Sequence, residues 1–259
     1  MDILDLNYAE VEAFFFVFFR VGAMFLFMPI LGSRQIPTQM KIGLAFLMSI
    51  TIFPAVQPTV AAAPIRGIFD LATYLFAEVT IGFGIGFTAR LIFTAVQIAG
   101  TVIDFQMGFG VVNVIDPQTE SSVSVTAQFQ NILAILLFLT LDAHHIMIQA
   151  VTQSFFLIDV SAINLSSHAP EVILNFFVSS FAVAIRIAAP AMAILFFIAV
   201  GLGLVARTVP QMNVFIVGFP LQIGVGLVMV AISMSFFSII IQNQINLLPA
   251  QFKGLLSSF

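Results

Sequence analysis

Side chains capable of metal binding or proton transfer come together in this sequence at Asp142, His144 and His145. Two imidazoles beside a carboxylate are groups that a proton relay or a metal site would use. On a helix, however, consecutive side chains point about 100° apart, so His144 and His145 are expected to share one ion only rarely. The alternative, which we favour, is a polar cap at the end of an apolar helix. The remaining histidine, His168, lies far away in a polar stretch, and we predict no metal site.

A second pattern, of glycines on an apolar stretch, indicates a close helix contact rather than a cofactor site. Glu78 is followed by Gly82 and Gly86 at intervals of four residues, which places all three on one helix face. A dinucleotide-binding fingerprint would need a preceding β-strand and a βαβ unit, and the sequence has neither. Small residues four apart let another backbone approach, so we expect a packing face on which Glu78 pairs with an arginine or a backbone group.

The segment from Gln106 to Pro117 combines the features of a helix end with those of a buried loop. Gly108 and Gly110 free the backbone and Pro117 stops a helix, yet the residues between them stay largely apolar. Irregular backbone at membrane depth is tolerated only inside protein or along a cavity. From the residues alone two interpretations stay open: a re-entrant or plug loop, or a plain helix end followed by a solvated turn.

Charged residues also stand inside apolar stretches, at Arg20, Glu78 and Arg186. A charge at the centre of a membrane helix costs about 2.5–3.5 kcal/mol on insertion scales. We therefore expect these three side chains to be satisfied by protein groups rather than by lipid. Further along, Pro210 and Pro220 bracket a short segment whose freed carbonyl groups need polar partners, and a kinked helical hairpin is expected there.

The elements that position these side chains must be apolar helices, because the chain offers little else. Of its 259 residues, 61% are apolar and only 8% are charged, whereas about 25% are charged in a soluble globular domain. A soluble enzyme and a disordered chain are excluded by this composition. The net charge is −4 and the cationic residues stand singly, which excludes a nucleic-acid binder. Cysteine is absent, so disulfides and thiolate metal sites are excluded as well.

Hydropathy predicts an all-α, polytopic integral membrane protein, since a membrane helix needs about 20 consecutive apolar residues. Prolines are expected to kink or break several of these helices, at Pro54, Pro190, Pro210 and Pro220. The predicted apolar stretches cover residues 11–31, 42–56, 68–88, 91–110, 129–149, 172–205 and 214–241.

The chain resembles the FliR family of flagellar export-gate proteins, whose injectisome relatives are called SctT. The resemblance covers essentially the whole chain, and its most specific piece runs from Pro210 to Phe215. The other matching residues are Arg20, Met28 to Gly32, Ile36, Pro37, Lys41, Glu78, Gly82, Gly86, Gly100, Asp104, Gln106, Gly108, Asp116, Pro117, Arg207, Gly218 to Pro220 and Gly224.

This resemblance implies a FliP-like part over residues 1–171 and a FliQ-like helical hairpin with a C-terminal tail over residues 172–259. It implies a structural and gating subunit that forms, with FliP and FliQ, the channel for unfolded flagellar proteins across the bacterial inner membrane. In such a basal body, FlhB docks on the cytoplasmic side and the assembled gate projects toward the periplasm. Besides these proteins and membrane lipid no partner is implied, and no catalytic residue, cofactor or metal.

The resemblance also implies a plug loop, residues 106–122, that closes the channel. The plug residues are Gln106, Met107, Gly108, Phe109, Gly110, Val111, Val112, Asn113, Ile115, Asp116 and Pro117. A second set of residues is expected to form helix contacts or subunit interfaces. This set consists of Arg20, Pro29, Gly32, Pro37, Glu78, Gly82, Gly86, Arg186, Arg207, Pro210, Gln211, Met212, Asn213, Phe219 and Pro220.

The alternative function is a stand-alone transporter for small solutes or one coupled to protons. Such a transporter is expected to show inverted repeats with paired broken helices and a charged site at the midplane. Here the charges within apolar stretches are scattered, and the sequence shows no pair of matched halves. An intramembrane enzyme would need a nucleophile–base or metal pattern, which the sequence lacks.

Overall fold

The computed structural model describes residues 8–33, 35–60, 67–109, 124–158, 168–209, 211 and 213–259. Within these ranges the chain is helical and has no β-strand, which confirms the predicted all-α fold. The helices of the described ranges are α1 (Tyr8–Phe27), α2 (Thr38–Val60), α3 (Ile68–Met107), α4 (Val125–Thr140), α5 (Ala143–Leu157), α6 (His168–Thr208) and α7 (Val214–Leu256).

Helices of these lengths and compositions make the chain a polytopic membrane protein. In the described part of the chain, α2, α3, α6 and α7 are long and apolar enough to cross a membrane, and α4 with α5 would add a fifth crossing if they form one broken span. The surroundings of these helices differ. In the most apolar stretch of α3, 67% of residues are buried within the protein, against 22% in α2, α6 and α7. Among these four helices α3 is therefore the most buried.

The predicted apolar stretch 68–88 and residues 91–107 of the stretch predicted at 91–110 belong to one continuous helix, α3, of 40 residues. Gly110 lies outside the described residues. Arg90 separates the stretches in hydropathy, but arginine is a good helix former and does not interrupt the backbone hydrogen bonds. The drop in hydropathy at Arg90 therefore reflects one charged side chain and not the end of a helix.

At three of the four prolines expected to kink or break a helix, the helix continues without a break, and a kink there stays a prediction. Pro54, Pro190 and Pro220 lie inside α2, α6 and α7, and Pro210 lies outside the described residues. A proline removes one backbone hydrogen bond, and membrane helices tolerate this loss because neighbouring groups and local adjustments satisfy the freed carbonyl. The helix break that the structure does show lies between α4 and α5 at Asp142, whose φ of 53° is left-handed.

Two compact units divide the chain. The first consists of Met1–Leu91, Asp142–Phe177 and Asn246–Phe259, and in it α1 packs against α2 and both contact α5. The second consists of Ile92–Leu141 and Val178–Ile245, and in it the end of α3 meets α4 and α7. The division at residues 171 and 172 into FliP-like and FliQ-like parts stays a prediction.

Candidate functional site

A buried polar cluster joins three helices of the first unit. The side chains of Arg20 on α1 and Glu78 on α3 are fully buried and form an ion pair through Nε and Oε2. Arg20 Nη1 also donates a hydrogen bond of 2.8 Å to Ser154 Oγ on α5. The guanidinium carbon lies 3.9 Å from the centroid of the Phe155 ring, at cation–π distance. Both charges are therefore satisfied mainly within this chain rather than by lipid.

The glycines that follow Glu78 lie where α3 meets α1. A Cβ atom added to Gly82 would overlap the carbonyl oxygen of Arg20. One added to Gly86 would lie 2.7 Å from the Met24 carbonyl oxygen and 2.8 Å from Phe27 Cβ. Only glycine lets the two backbones approach this closely, and the approach places the Arg20 side chain beside Glu78. The contact is internal to the chain, and a role of this face at a subunit interface stays a prediction.

Three of the predicted packing residues, Pro29, Gly32 and Pro37, lie in the connection between α1 and α2. Gly32 N donates to the Met28 carbonyl at 2.7 Å, and a Cβ on Gly32 would lie 2.5 Å from the Leu26 carbonyl oxygen. Pro29 is half-buried in this turn, and Pro37 directly precedes α2. These residues fix the turn, which explains why a glycine and two prolines occur within nine residues.

The end of α3 is the described part of the predicted plug loop. Gly108 has φ +91°, and its N–H donates to the Phe105 carbonyl at 3.2 Å. Phe109 N donates to the Asp104 carbonyl at 3.1 Å. These two bonds and a left-handed glycine form a Schellman motif, which ends a helix by satisfying its last carbonyl groups. Met107 is fully buried.

Residues of α7, in the second unit, also pack against this end of α3. A Cβ on Gly226 would lie 2.6 Å from Met107 Cγ, and one on Gly108 would lie 2.6 Å from Phe219 Cδ1. Gln106 is half-buried, and its Oε1 has no hydrogen-bond partner within the described ranges. The remaining plug residues lie outside the described residues: Gly110, Val111, Val112, Asn113, Ile115, Asp116 and Pro117.

Asp104 connects the end of α3 to the start of α4. Ser124, the residue before α4, donates from Oγ to Asp104 Oδ2 at 2.5 Å, and Thr126 N donates to the same oxygen at 3.2 Å. Ser124 Oγ in turn accepts from Ala127 N at 3.1 Å. Sequence reasoning did not select Asp104 or Ser124 as site residues. A serine before an apolar run is a helix N-cap signal, but nothing local reveals a partner twenty residues away.

The remaining predicted residues are spread over α6 and α7. Arg186 is exposed near the middle of α6, and Arg207 is exposed in its last turn. Gln211 and Asn213 are exposed between the two helices, whereas Pro210 and Met212 lie outside the described residues. Phe219 is half-buried and Pro220 is exposed in the first turns of α7. The structure thus places Phe219 beside Gly108 at the end of α3 and leaves the two arginines exposed.

Asp142, His144 and His145 lie at the start of α5, with all three ligand atoms within 4.8 Å of one another. The centroids of the two imidazole rings are 4.2 Å apart, so the rings lie side by side although consecutive helix positions were expected to point about 100° apart. His145 Nδ1 lies 3.3 Å from Asp142 Oδ1, and both side chains are exposed. Asp142 makes no side-chain capping hydrogen bond to α5, so the polar cap stays a prediction. The positive end of the helix dipole disfavours a cation at this position.

Comparisons with known proteins agree along nearly the whole chain. The family profile described as "Bacterial export proteins, family 1" matches residues 11–248. The flagellar biosynthetic protein FliR of Bacillus subtilis (strain 168) is 36% identical over 249 residues, which is 95% of either chain. The protein of the same name from Escherichia coli (strain K12) is 31% identical over 221 residues, covering 85% of this chain and 84% of the relative. The one from Aquifex aeolicus (strain VF5) is 30% identical over 242 residues, or 93% of each.

These matches and the helices lead to the same class of protein. The relatives are flagellar biosynthetic proteins by name, and none of the three is named as an enzyme. The described helices that are apolar enough to cross a membrane all overlap the matched region, which fits a multi-pass membrane protein. The chain therefore belongs to the bacterial export proteins of family 1, as a member of the FliR family of flagellar biosynthetic proteins.

Proposed function

We propose that this protein is a structural and gating subunit of the flagellar type III secretion export gate. With FliP and FliQ it forms the channel that passes unfolded flagellar proteins across the inner membrane, within the basal body, and FlhB docks on its cytoplasmic side. Membership of an export family supports the transport role. The surface of α6 supports the role as one subunit among several.

The observation that carries this proposal is the exposure of Arg186. It lies near the middle of an apolar helix of 41 residues that also exposes large apolar side chains close to it in sequence, such as Phe181 and Ile185. Exposing this guanidinium to hydrocarbon would cost about 2.5–3.5 kcal/mol. An apolar face with a cation at its centre fits a neighbouring subunit that brings an acidic or carbonyl group.

Co-expression with FliP and FliQ, extraction in a mild detergent and measurement of the mass test this assembly. We expect a hetero-oligomer, and Arg186→Leu should lower its yield because a buried intersubunit contact is lost. Lys253→Leu is the matched control, since Lys253 is an exposed cation in the last turn of α7. A monomer or a symmetric oligomer of this chain alone would refute the proposal and favour a stand-alone transporter.

The same proposal gives residues 106–122 the role of channel plug. This role is supported by the fixed position of the helix end from which the loop starts. The Schellman motif at Gly108 ends α3, and Met107 packs against Gly226. A loop that starts from a fixed helix end can seal a channel with apolar residues such as Val111 and Val112, which exclude water.

Deleting residues 110–117 tests the plug. The assembled gate should form normally but become permeable to small solutes. Replacing the same eight residues by a glycine–serine segment of equal length should also cause a leak, because it keeps the length and removes the apolar seal. A deletion variant that assembles fully and leaks no more than the wild type would contradict the plug role and favour a solvated connector.

A further inference from the structure

An apolar groove, which we call the α1–α2 groove, lies between the first two helices within the first unit. Its volume is about 320 Å³. Small residues lie at its centre, where a Cβ atom on Gly22 would be in ordinary contact with Ala45 Cβ at 4.0 Å. Larger apolar side chains that line it, those of Phe19, Leu26 and Ile42, are exposed. The groove is therefore open to the surroundings of the helices.

One end of the groove carries a positive charge. Among the described residues that line it, only Lys41 is charged. Lys41 Nζ donates to the Ser33 carbonyl oxygen at 2.8 Å, in the connection between α1 and α2, so the ammonium lies at that end. It makes no ion pair within the described part of the chain, and the sequence has no aspartate or glutamate from residue 13 to residue 69. An ammonium has three donors, so Lys41 can still bind an anion.

The length and the charge of the groove match one chain of a phospholipid. Its lining extends along α1 from Phe18 to Phe27, a rise of about 14 Å at 1.5 Å per residue. One leaflet supplies about 15 Å of hydrocarbon, half of the bilayer core. α2, which forms one side of the groove, is long and apolar enough to cross a membrane. An acyl chain along the groove therefore brings its headgroup phosphate to Lys41, which forms a charge-assisted hydrogen bond with it.

We propose that the α1–α2 groove binds one acyl chain of an anionic phospholipid, with the headgroup phosphate on Lys41. A zwitterionic headgroup carries its own cation beside the phosphate and competes with the ammonium, whereas an anionic headgroup does not. Lys41 also lies in the first turn of α2, where the helix dipole disfavours a cation and no acidic side chain compensates, so a bound anion relieves this charge. This inference concerns the chain by itself and does not rest on the proposed function.

Tryptophan fluorescence of the full chain tests this site, because the chain has no tryptophan of its own. Phe19→Trp places a fluorophore in the groove, and Phe156→Trp places one at an exposed position of α5 that does not line it. Each protein, purified in a mild detergent, is titrated with phosphatidylglycerol whose acyl chains carry bromine, which quenches tryptophan. We expect saturable quenching at position 19 and, at position 156, only quenching in proportion to the lipid in the micelle. Brominated phosphatidylcholine should bind more weakly at position 19.

Charge variants in the Phe19→Trp chain test the role of the ammonium. Lys41→Met should weaken phosphatidylglycerol binding about fivefold, the effect of one cation at an anionic lipid surface, and Lys41→Arg should keep the preference for this lipid. Lys253→Met is the matched control, since Lys253 is an exposed cation of the same unit outside the groove. If Phe19→Trp does not fold, Ile42→Trp reports on the same groove from α2.

Several results would overturn the inference. Equal binding of the two lipids, an affinity that ignores Lys41→Met, or an equal loss from Lys253→Met would remove the role of the charge. Quenching at position 19 no stronger than at position 156 would show that no acyl chain binds in the groove. Repeating the titration on the hetero-oligomer with FliP and FliQ separates lipid from protein as the occupant: continued selective quenching supports the lipid, whereas its loss assigns the groove to a neighbouring subunit. The titration of the chain alone decides the proposal even if no hetero-oligomer forms.

Discussion

The buried pair of Arg20 and Glu78 offers the sharpest test of how the first unit is held together. Arg20→Met removes the ion pair, the hydrogen bond to Ser154 and the contact with the Phe155 ring. Glu78 then remains fully buried with no cation beside it in the described part of the chain. Removing one partner of a buried ion pair typically costs about 3–5 kcal/mol.

That cost corresponds to a loss of roughly two to four powers of ten in the folding equilibrium. The matched double variant Arg20→Met, Glu78→Met replaces both charges by apolar side chains of similar length. Its stability should return to within about 1 kcal/mol of the wild type or exceed it, because no buried charge is left unpaired. Glu78→Gln alone should be nearly as damaging as Arg20→Met, since it leaves the guanidinium buried without a counter-charge.

The measurement is unfolding of the purified full chain in detergent, followed by circular dichroism over a denaturant series. The four variants of the cycle then give the coupling free energy between the two residues. Arg20→Met as stable as the wild type would refute the reasoning, because a buried, paired guanidinium could not then be structural. A double variant less stable than either single variant would refute it as well, since apolar replacement would have to be worse than an unpaired charge.

Three other substitutions should report on the same contacts by the same unfolding measurement. Gly82→Ala should destabilise the chain by about 1–3 kcal/mol because its methyl group meets the Arg20 carbonyl, and Gly43→Ala, with open space around it, should not. Gly108→Ala should cost at least about 1–2 kcal/mol because a φ of +91° strains a residue with a Cβ atom, and that atom would lie 2.6 Å from Phe219 Cδ1; a neutral result would contradict the Schellman motif. Ser154→Ala should cost about 1.5–3 kcal/mol through the lost bond from Arg20, less than Arg20→Met itself, and an equal loss would mean that Ser154 does more than accept this bond.

Features that depend on composition and short-range spacing could be predicted from the sequence. The apolar composition leads to membrane helices, and the spacing of Gly82 and Gly86 leads to a close contact on one helix face. The helix that packs against this face could not be predicted. It is α1, which is distant in sequence, and no short-range sequence pattern identifies a distant partner. The same applies to Ser154, which is 134 residues from Arg20 yet accepts its hydrogen bond.

Helix ends were harder to predict than helix existence. The drop in hydropathy at Arg90 predicted two separate apolar stretches, but the helix continues through this residue. A charged side chain lowers the local hydropathy without interrupting the backbone hydrogen bonds of a helix. Prolines such as Pro190 were expected to kink or break their helices, but in the structure these helices continue past them. The actual break at Asp142 uses a left-handed aspartate, a conformation that sequence would assign first to glycine.

The length of the long helices has a consequence for how the cell makes this protein. α3, α6 and α7 contain 40, 41 and 43 residues, so each follows a path of about 60 Å at 1.5 Å per residue. The hydrocarbon layer is about 30 Å thick, and a straight helix of that length would need a tilt near 60° to stay inside it, beyond the roughly 0–40° that membrane helices adopt. A newly synthesised chain without its neighbours therefore presents apolar helix outside lipid, the kind of surface that chaperones and membrane proteases recognise. If subunits of the proposed gate cover that surface, we expect the chain to last longer in the cell when they are produced with it than when it is produced alone.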